Sequence, residues 1–557
     1  MHRQSALPHR TLSAGLLLLL PLFYLPVGMV LIQAFRGADG TWDTSLLIAS
    51  LSSPYTWRIA AFTFRQALYS TLGSLIIGLP GAYLLSHYRI RGSGLLKSLS
   101  TIPFVLPPII VVLGFVLFYG NQGILNRVLM RVFSLPEPPL RIMYSLGAII
   151  LAHSFYNFPI VLRSVSAYWE GLSTHYEAAA HALGAKRLRV FITVTLPRLL
   201  PAIISASSLV FLFCFTSFAV ILVLGGGPRF TTLEVEIYRQ ARTSLDLQAA
   251  SGLALLSLAI TVTLMLGYMR LQRTLALREE QGSGGRLHLA GRYSVIAAAG
   301  TYLYTIFALL FLLAPLASVV LRSFQAQTHR AGEIVWTLRW YRELFAPIQG
   351  AFIGRSGTSV LQSLGIALVT VAAATPLSLL ITYGTTRSAS ASARISEVLL
   401  MIPIMVSSII LGLGYYLFSR NLGFMGPYVL IVCAHVTITL PFIYRLMLPA
   451  SQKIYRTYAA ASYVLGAPPV RTFTSVELPL LRGTVISGMV FVFALSMGEF
   501  NATLIVADAS VQTIPILMYR LIGAYNFFGA CALGTVLMLC SFAAFFLFDT
   551  QSTRSFL

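Results

Sequence analysis

Apolar residues in this chain do not alternate with polar ones. They run in blocks of about twenty, separated by short polar stretches, the length at which a helix crosses the hydrocarbon core of a bilayer. Twelve blocks predict twelve transmembrane helices, at 12–35, 63–86, 98–119, 142–165, 199–224, 248–269, 294–321, 359–384, 396–418, 427–448, 481–507 and 529–548. The first block follows Arg3 and Arg10. It is too long for a signal-peptide core and no small-residue cleavage site follows, so it is expected to persist as a helix. The predicted fold class is an all-α polytopic membrane protein.

The blocks repeat. Ile102-Pro103 and Gly114 recur as Ile402-Pro403 and Gly414, 300 residues on. Ala152-His153, Pro159 and Arg163 recur as Ala434-His435, Pro441 and Arg445 at an offset of 282, and Phe218 recurs as Phe500. The pattern predicts two homologous six-helix halves, inserted in the same orientation and paired about a pseudo-two-fold axis along the membrane normal. A polar stretch containing Glu279-Glu280-Gln281-Gly282-Ser283-Gly284-Gly285 separates them and reads as a flexible linker. The expected organisation is a first half at 1–270 with its core at about 60–270, a linker at 271–293, and a second half at 294–557 with its core at about 358–548.

The densest repeat lies in two polar loops. Tyr176-Glu177-Ala178-Ala179-Ala180-His181-Ala182-Leu183-Gly184-Ala185 leads through Phe191 to Leu196-Pro197. Tyr458-Ala459-Ala460-Ala461-Ser462-Tyr463-Val464-Leu465-Gly466-Ala467 leads through Phe473 to Leu478-Pro479. Each predicts an Ala-rich helix stopped by a glycine in a left-handed turn, with Pro at the start of the next helix. This pattern resembles the cytoplasmic coupling loop of ABC importer permeases: Glu-Ala-Ala, three residues, Gly, nine residues, Ile-x-Leu-Pro. Counting back from the glycines puts Ala178 and Ala460 where that pattern has Glu; Glu177 stands one residue early. The resemblance implies the MetI-like permease fold, with Tyr176, Glu177, Ala178, Ala179, Ala180, Ala182, Leu183, Gly184, Ala185, Leu196 and Pro197 in one ATPase-coupling loop. Tyr458, Ala460, Ala461, Leu465, Gly466, Ala467, Leu478 and Pro479 would form the other.

Composition bears on the environment and the partners. The chain is 57% hydrophobic and 10% charged, with a mean hydropathy of +0.80, far from a soluble domain. Its net charge of +22 is spread over many short loops, which argues for membrane topology and against a nucleic-acid partner. With the N-terminus inside, the cytoplasmic segments hold 23 of the 39 Lys and Arg, including Lys97, Lys186 and Lys453. Both termini and both coupling-like loops are then expected in the cytoplasm. Cys214, Cys433, Cys531 and Cys540 sit in apolar blocks without Cys-x-x-Cys spacing and read as small buried hydrophobes, so neither a metal site nor a cofactor is expected. No P-loop occurs: Lys97-Ser98 is preceded by Leu96 where Gly is required. The chain is therefore not expected to be an enzyme, and ATP hydrolysis would belong to another subunit.

Glu499 stands out as a carboxylate within an apolar block, with Ser217 as its counterpart in the repeat. It lines a translocation path, or it ties helices together by hydrogen bonds. Ser217 and Asn157 are further candidates for the path. His153 and His435 read more simply as interhelical hydrogen-bonding groups. Gly225-Gly226-Gly227-Pro228 is a turn that ends a helix, or a contact for a binding protein.

Three stretches refine the resemblance: Leu151-Ala152-His153-Ser154-Phe155-Tyr156-Asn157-Phe158-Pro159, Cys214-Phe215-Thr216-Ser217-Phe218-Ala219, and Leu224-Gly225-Gly226-Gly227-Pro228 through Thr232-Leu233-Glu234-Val235-Glu236-Ile237-Tyr238. They look like the permeases for thiamine, with the fused ferric-iron permeases as nearest relatives. The resemblance implies a bacterial inner-membrane permease subunit translocating a small molecule, partnered by two ATP-binding subunits and an extracytoplasmic substrate-binding protein. Ferric iron is the alternative cargo. A proton-coupled secondary transporter also has two parallel halves, but Glu499 would be nearly alone as its intramembrane relay. A channel would need a repeated ring of filter residues, which the sequence lacks.

Overall fold

The computed structural model describes residues 15–554 except 16, 38–39, 88–98, 101–102, 104–105, 277–294, 328–333, 346–355, 389–390 and 423–424. Most of the expected linker, 271–293, lies outside them. Eleven described helices are long and apolar enough to cross a membrane, twelve if one pair bent by 99° counts as a single span. The first half contains α1 (Leu17–Ala34), α2 (Pro54–His87), α3 (Pro108–Tyr119), α4 (Leu146–Glu170), α5 (His175–Ala182), α6 (Leu196–Phe215), α7 (Ala219–Leu224), α8 (Leu233–Arg242) and α9 (Leu247–Ala276). The second contains α10 (Val295–Ser323), α11 (Ser356–Arg387), α12 (Ser408–Leu422), α13 (Pro427–Ile454), α14 (Ala460–Val464), α15 (Leu478–Gly498), α16 (Asn501–Val506), α17 (Ile514–Gly523) and α18 (Phe527–Arg554). Two short antiparallel strands, Gln325–Gln327 and Ile334–Trp336, follow α10.

Small residues decide the closest packing. On α2, Ser70, Ser74, Gly78 and Ala82 recur every fourth residue, are all buried, and form a smooth stripe. In a bilayer, where lipid tails are as apolar as leucine, such a stripe drives association by allowing close backbone approach. A Cβ added at Gly78 would lie 2.7 Å from Val161 and 2.9 Å from the Phe158 carbonyl, so α4 rests directly on α2.

The two halves exchange their leading helices. Gly114 of α3 lies against Pro315 of α10, and its repeat partner Gly414 of α12 lies against Pro26 of α1. At both glycines an added Cβ would come within 2.6 Å of the proline carbonyl oxygen. Polar ties reinforce each crossing: Thr437 Oγ1 and Tyr415 donate to the Leu22 carbonyl, and Tyr304 donates to the Ile77 carbonyl at 2.9 Å.

Four predicted helices are broken. Helix α3 starts only at Pro108, after Pro103 and Pro107, so the block 98–119 is not one helix. Its counterpart 396–418 is two pieces, Ser396–Met405 and Ser408–Arg420, bent by 99° beyond Pro403. The block 199–224 breaks at Thr216-Ser217-Phe218, and 481–507 breaks at Glu499-Phe500. Prolines account for the first two breaks, since proline removes a donor and clashes with the preceding turn. Residues 225–247 and 508–528, which lie between predicted helices, each contain a helix with a buried face, α8 and α17. Ser257, ten residues into α9, reaches Glu234 of α8, so the chain re-enters the bundle there.

The glycine contacts give a direct test of the exchange. Gly414→Val should destabilise the folded protein by about 1–3 kcal/mol through forced separation of α12 from α1. Gly426→Ala, at a position with nothing within 4 Å, should not. Thermal unfolding in detergent followed by size-exclusion chromatography measures both; equal behaviour of the two variants would reject the packing role.

Candidate functional site

The repeated loops form two matching helix ends. Gly184 and Gly466 have φ of +82° and +83°. The Ala185 N–H returns to the Ala180 carbonyl and the Gly184 N–H to the His181 carbonyl; Ala467 and Gly466 repeat these bonds to Ser462 and Tyr463. These are the paired bonds of a glycine-terminated helix, and they fix the direction in which the chain leaves. Leu183, Val464 and Leu465 stand at the ends with 87–89% of their surface exposed. Tyr176 and Tyr458 are also exposed, as are Ala178, Ala182 and Ala461, whereas Glu177 and Ala180 are half-buried. The loops differ in how they join the bundle. Helix α5 is separate from α4, whereas α14 continues α13 through a wider turn at Tyr455–Ala459.

Their anchors differ too. Glu177 accepts from Thr195 Oγ1 at 2.6 Å, and Arg198 donates to the Ser173 carbonyl while lying over the Tyr176 ring. In the second loop the acid sits at Glu477, the repeat counterpart of Thr195. It forms a buried ion pair with Arg387, whose guanidinium lies 3.6 Å over Tyr383 and 4.7 Å over Tyr455. Phe191 stacks on Trp169, and Phe473 packs edge-on to Tyr383.

The helix breaks converge on a cavity of about 390 Å³ between the halves. Pro107 and Ser407 line it from the bends, His153, Tyr156 and Asn157 from α4, Ser217 and Phe218 from the first break, and Gly498 and Asn501 from the second. Phe218 and Phe500 stack on each other with ring centres 6.1 Å apart, each flanked by a tyrosine, Tyr238 and Tyr519. Residues matched by the repeat, Phe218 and Phe500, thus meet beside the cavity.

Chemically the cavity is one-sided. In the first half Ser70 Oγ lies 2.9 Å from His153 Nδ1, and His153 Nε2 lies 2.8 Å from Ser217 Oγ, at the cavity wall. Asn157 donates to the His153 carbonyl at 2.8 Å and to Cys214 Sγ at 3.4 Å. In the second half His435 is enclosed: its Nδ1 meets Ser496 at 2.7 Å, and its Nε2 meets Thr503 at 2.9 Å and Glu499 at 3.4 Å. Among the described residues that line the cavity, none is Asp, Glu, Lys or Arg.

Glu499 does not line the cavity, although its neighbours Gly498 and Asn501 do. Its carboxylate turns to the start of α16, accepting from the Ala502 and Thr503 N–H groups at 2.9 and 3.0 Å and from Thr503 Oγ1 at 2.6 Å. Donors to a charged group are worth about 1.5–3 kcal/mol each, so three of them offset a burial cost of roughly 3 kcal/mol for an acid in the membrane. Of the two readings of Glu499, the geometry matches the tie between helices.

Residues 72–280 and again 365–555 match the protein family described as "Binding-protein-dependent transport system inner membrane component". The chain belongs to this family. The thiamine transport system permease protein ThiP of Brucella abortus (strain 2308) is 28% identical over 546 residues, covering 95% of this chain and 93% of that one. ThiP of Escherichia coli (strain K12) is 26% identical over 521 residues, 91% of each chain. PhnU of Salmonella typhimurium, named for 2-aminoethylphosphonate transport, is 31% identical over 263 residues, 90% of its own length but 47% of this one. That permease is about half as long; here the family unit occurs twice.

For a binding-protein-dependent permease, sequence reasoning missed one pair of residues. Glu234 and Glu236 of α8 are each 1% exposed. Glu236 is held by Arg239 and Gln240 at 2.7 Å and by Tyr55 at 3.2 Å. A signal existed: Leu233, Ile237 and Ala241 share one helical face, which marks a helix with a side to bury.

The cap on α16 predicts the behaviour of Glu499→Gln. An amide keeps one acceptor but turns N–H toward N–H, so folded yield and thermal stability should fall by roughly 1–3 kcal/mol. Uptake per folded permease should stay near the original. A slowed rate with unchanged melting would instead put the carboxylate on the transport path.

Proposed function

We propose that this permease carries thiamine inward across the bacterial cytoplasmic membrane, driven by two separate ATP-binding subunits and supplied by an extracytoplasmic substrate-binding protein. The observation that carries this reading is similarity to thiamine permeases along nearly the whole of both chains. The two halves span 1–270 and 294–557, joined by 271–293, with both termini in the cytoplasm. The exposed ends of α5 and α14, with Gly184, Gly466 and the following Leu196-Pro197 and Leu478-Pro479, receive the ATPase subunits. Support comes from Leu183, Val464 and Leu465, large apolar side chains left bare beside rigid glycine turns.

The mechanism follows from two helices meeting one breakable seam. ATP-driven closure of the partner subunits pushes α5 and α14 toward each other. The first push reaches α4 and α6, and the second reaches α13 directly, because α14 continues it. These helices carry the cavity wall, including Asn157 and Ser217, so displacement at the loops opens or closes the seam marked by Phe218 and Phe500. Asn157 and Ser217 offer hydrogen bonds to the solute in transit. The permease makes and breaks no covalent bond in this cycle.

Two measurements test the reading. In vesicles holding the permease, its ATPase and its binding protein, thiamine uptake should require ATP and persist when the proton gradient is collapsed. Uptake that follows the proton gradient, or ferric ion taken up in place of thiamine, would overturn the corresponding part. Gly184→Pro or Gly466→Pro should leave insertion intact yet uncouple ATP hydrolysis from uptake, since proline cannot adopt the positive φ of either turn. Cysteines at Ala182 and Val464 should crosslink to the ATPase; failure of both would reject the coupling assignment.

A further inference from the structure

Among the described residues the cavity wall carries no Asp, Glu, Lys or Arg, yet one carboxylate lies directly behind it. Glu234 is 1% exposed and sits in the first turn of α8. Its Oε1 accepts from Ser257 Oγ of α9 at 2.8 Å, and its Oε2 accepts from Ser407 Oγ at 2.6 Å. Ser407 belongs to the other half, at the 99° bend, and is itself a cavity-lining residue. Its hydroxyl accepts from the Ile410 N–H, so its own proton turns away from that amide and toward Glu234. Among the described residues, its partners separate this carboxylate from three other enclosed ones. Glu236 and Glu477 are each paired with an arginine, and Glu499 is taken up by the start of α16 and by His435. The hydrogen-bonding partners of Glu234 among the described residues are two neutral hydroxyls.

A carboxylate held by hydroxyls, one of them on the wall of a passage, projects negative potential into that passage. In a medium of low polarity a charge acts over many ångströms, and lining groups that carry no charge do not cancel it. Burial pushes its pKa up, to about 7, against the pull of the Ser407 and Ser257 hydroxyls, so the charge is fully developed only above neutral pH.

We propose that Glu234 is the charge-selecting residue of the cavity: acting through Ser407 across the junction of the halves, it makes the passage favourable to organic cations and unfavourable to anions. Glu234 is thus a positioning residue for substrate charge and need not touch the solute. The proposal rests on the cavity being the passage of this permease; it does not rest on which cation is carried.

The test reads charge without using a transported substrate. A cysteine placed at Ser408, a half-buried cavity residue beside Ser407, is reacted in membrane vesicles above about pH 8, where Glu234 is ionised, with two thiosulfonates of similar size. One bears a trimethylammonium group and the other a sulfonate, and the rate on the chain with only its native cysteines is subtracted. Relative to a free thiol in solution, the cation-to-anion rate ratio should be raised about tenfold, and Glu234→Gln should abolish that preference. Glu499→Gln should change the ratio by less than about twofold, since the helix start compensates that charge. A ratio on the unsubstituted-Glu234 chain equal to that of the free thiol overturns the proposal even if Glu234→Gln fails to fold. A ratio that survives Glu234→Gln, or one lost only with Glu499→Gln, overturns it as well. No reaction of the Ser408 cysteine with either reagent would show that the cavity is not an aqueous passage, and would remove the underlying reading along with the proposal.

Discussion

A peptide group that leaves a helix inside hydrocarbon has no water to bond to, and each unsatisfied group costs several kcal/mol. That constraint governs the centre of this permease. The chain breaks its helices at Pro103–Pro107, Pro403–Ser407, Thr216–Phe218 and Glu499–Phe500, and the breaks gather around one cavity. Each needs a local substitute for the lost bonds. Ser407 accepts from Ile410, the Thr216 hydroxyl donates back to the Leu212 carbonyl, and Glu499 serves the open start of α16. The cavity exists because irregular backbone is tolerated only where such substitutes or a polar space can be supplied.

The same constraint explains why a symmetric duplication carries asymmetric chemistry. His153 and His435 occupy equivalent places, and each bridges its own helix to the next broken one. In the second half Glu499 with Thr503 fills the space beside His435. In the first half the equivalent position is Ser217, a smaller group, and the His153 ring borders the cavity. The loops show a parallel divergence. The acid that secures one loop is Glu177 and the acid that secures the other is Glu477, at non-equivalent positions, yet both hold a short helix against the bundle. Selection of geometry at the glycine turns is strict, since φ agrees within a degree. Selection of the residue that anchors the turn is loose.

Exchange of α1 and α10 between the halves bears on how such a seam can move without coming apart. Each leading helix is pinned to the opposite half by a glycine contact at backbone level. The aromatic stack at Phe218 and Phe500, by contrast, is a contact between side chains, worth only about 0.5–1.5 kcal/mol beyond its buried area. A firm perimeter and a weak centre suit a protein that must open along its axis.

Much was determined by the sequence alone, because length and period are local properties. Twenty-residue apolar blocks mark the membrane segments even where four of them break, and two glycines followed by Leu-Pro at one offset report a duplication whatever surrounds them. Positive φ at Gly184 and Gly466 follows from the residue type and its place after an Ala-rich run. What the tertiary structure decided was direction and partnership. The sequence places Glu499 within an apolar block and Glu234 outside all twelve, yet names no partner for either. Only the fold turns Glu499 into the cap of α16 and brings Ser407, 173 residues away and in the other half, to Glu234. Hydrophobic patterning sets which residues are inside the membrane; which of the buried polar groups meet one another depends on how the two halves close, and that is a property of contacts distant in the chain.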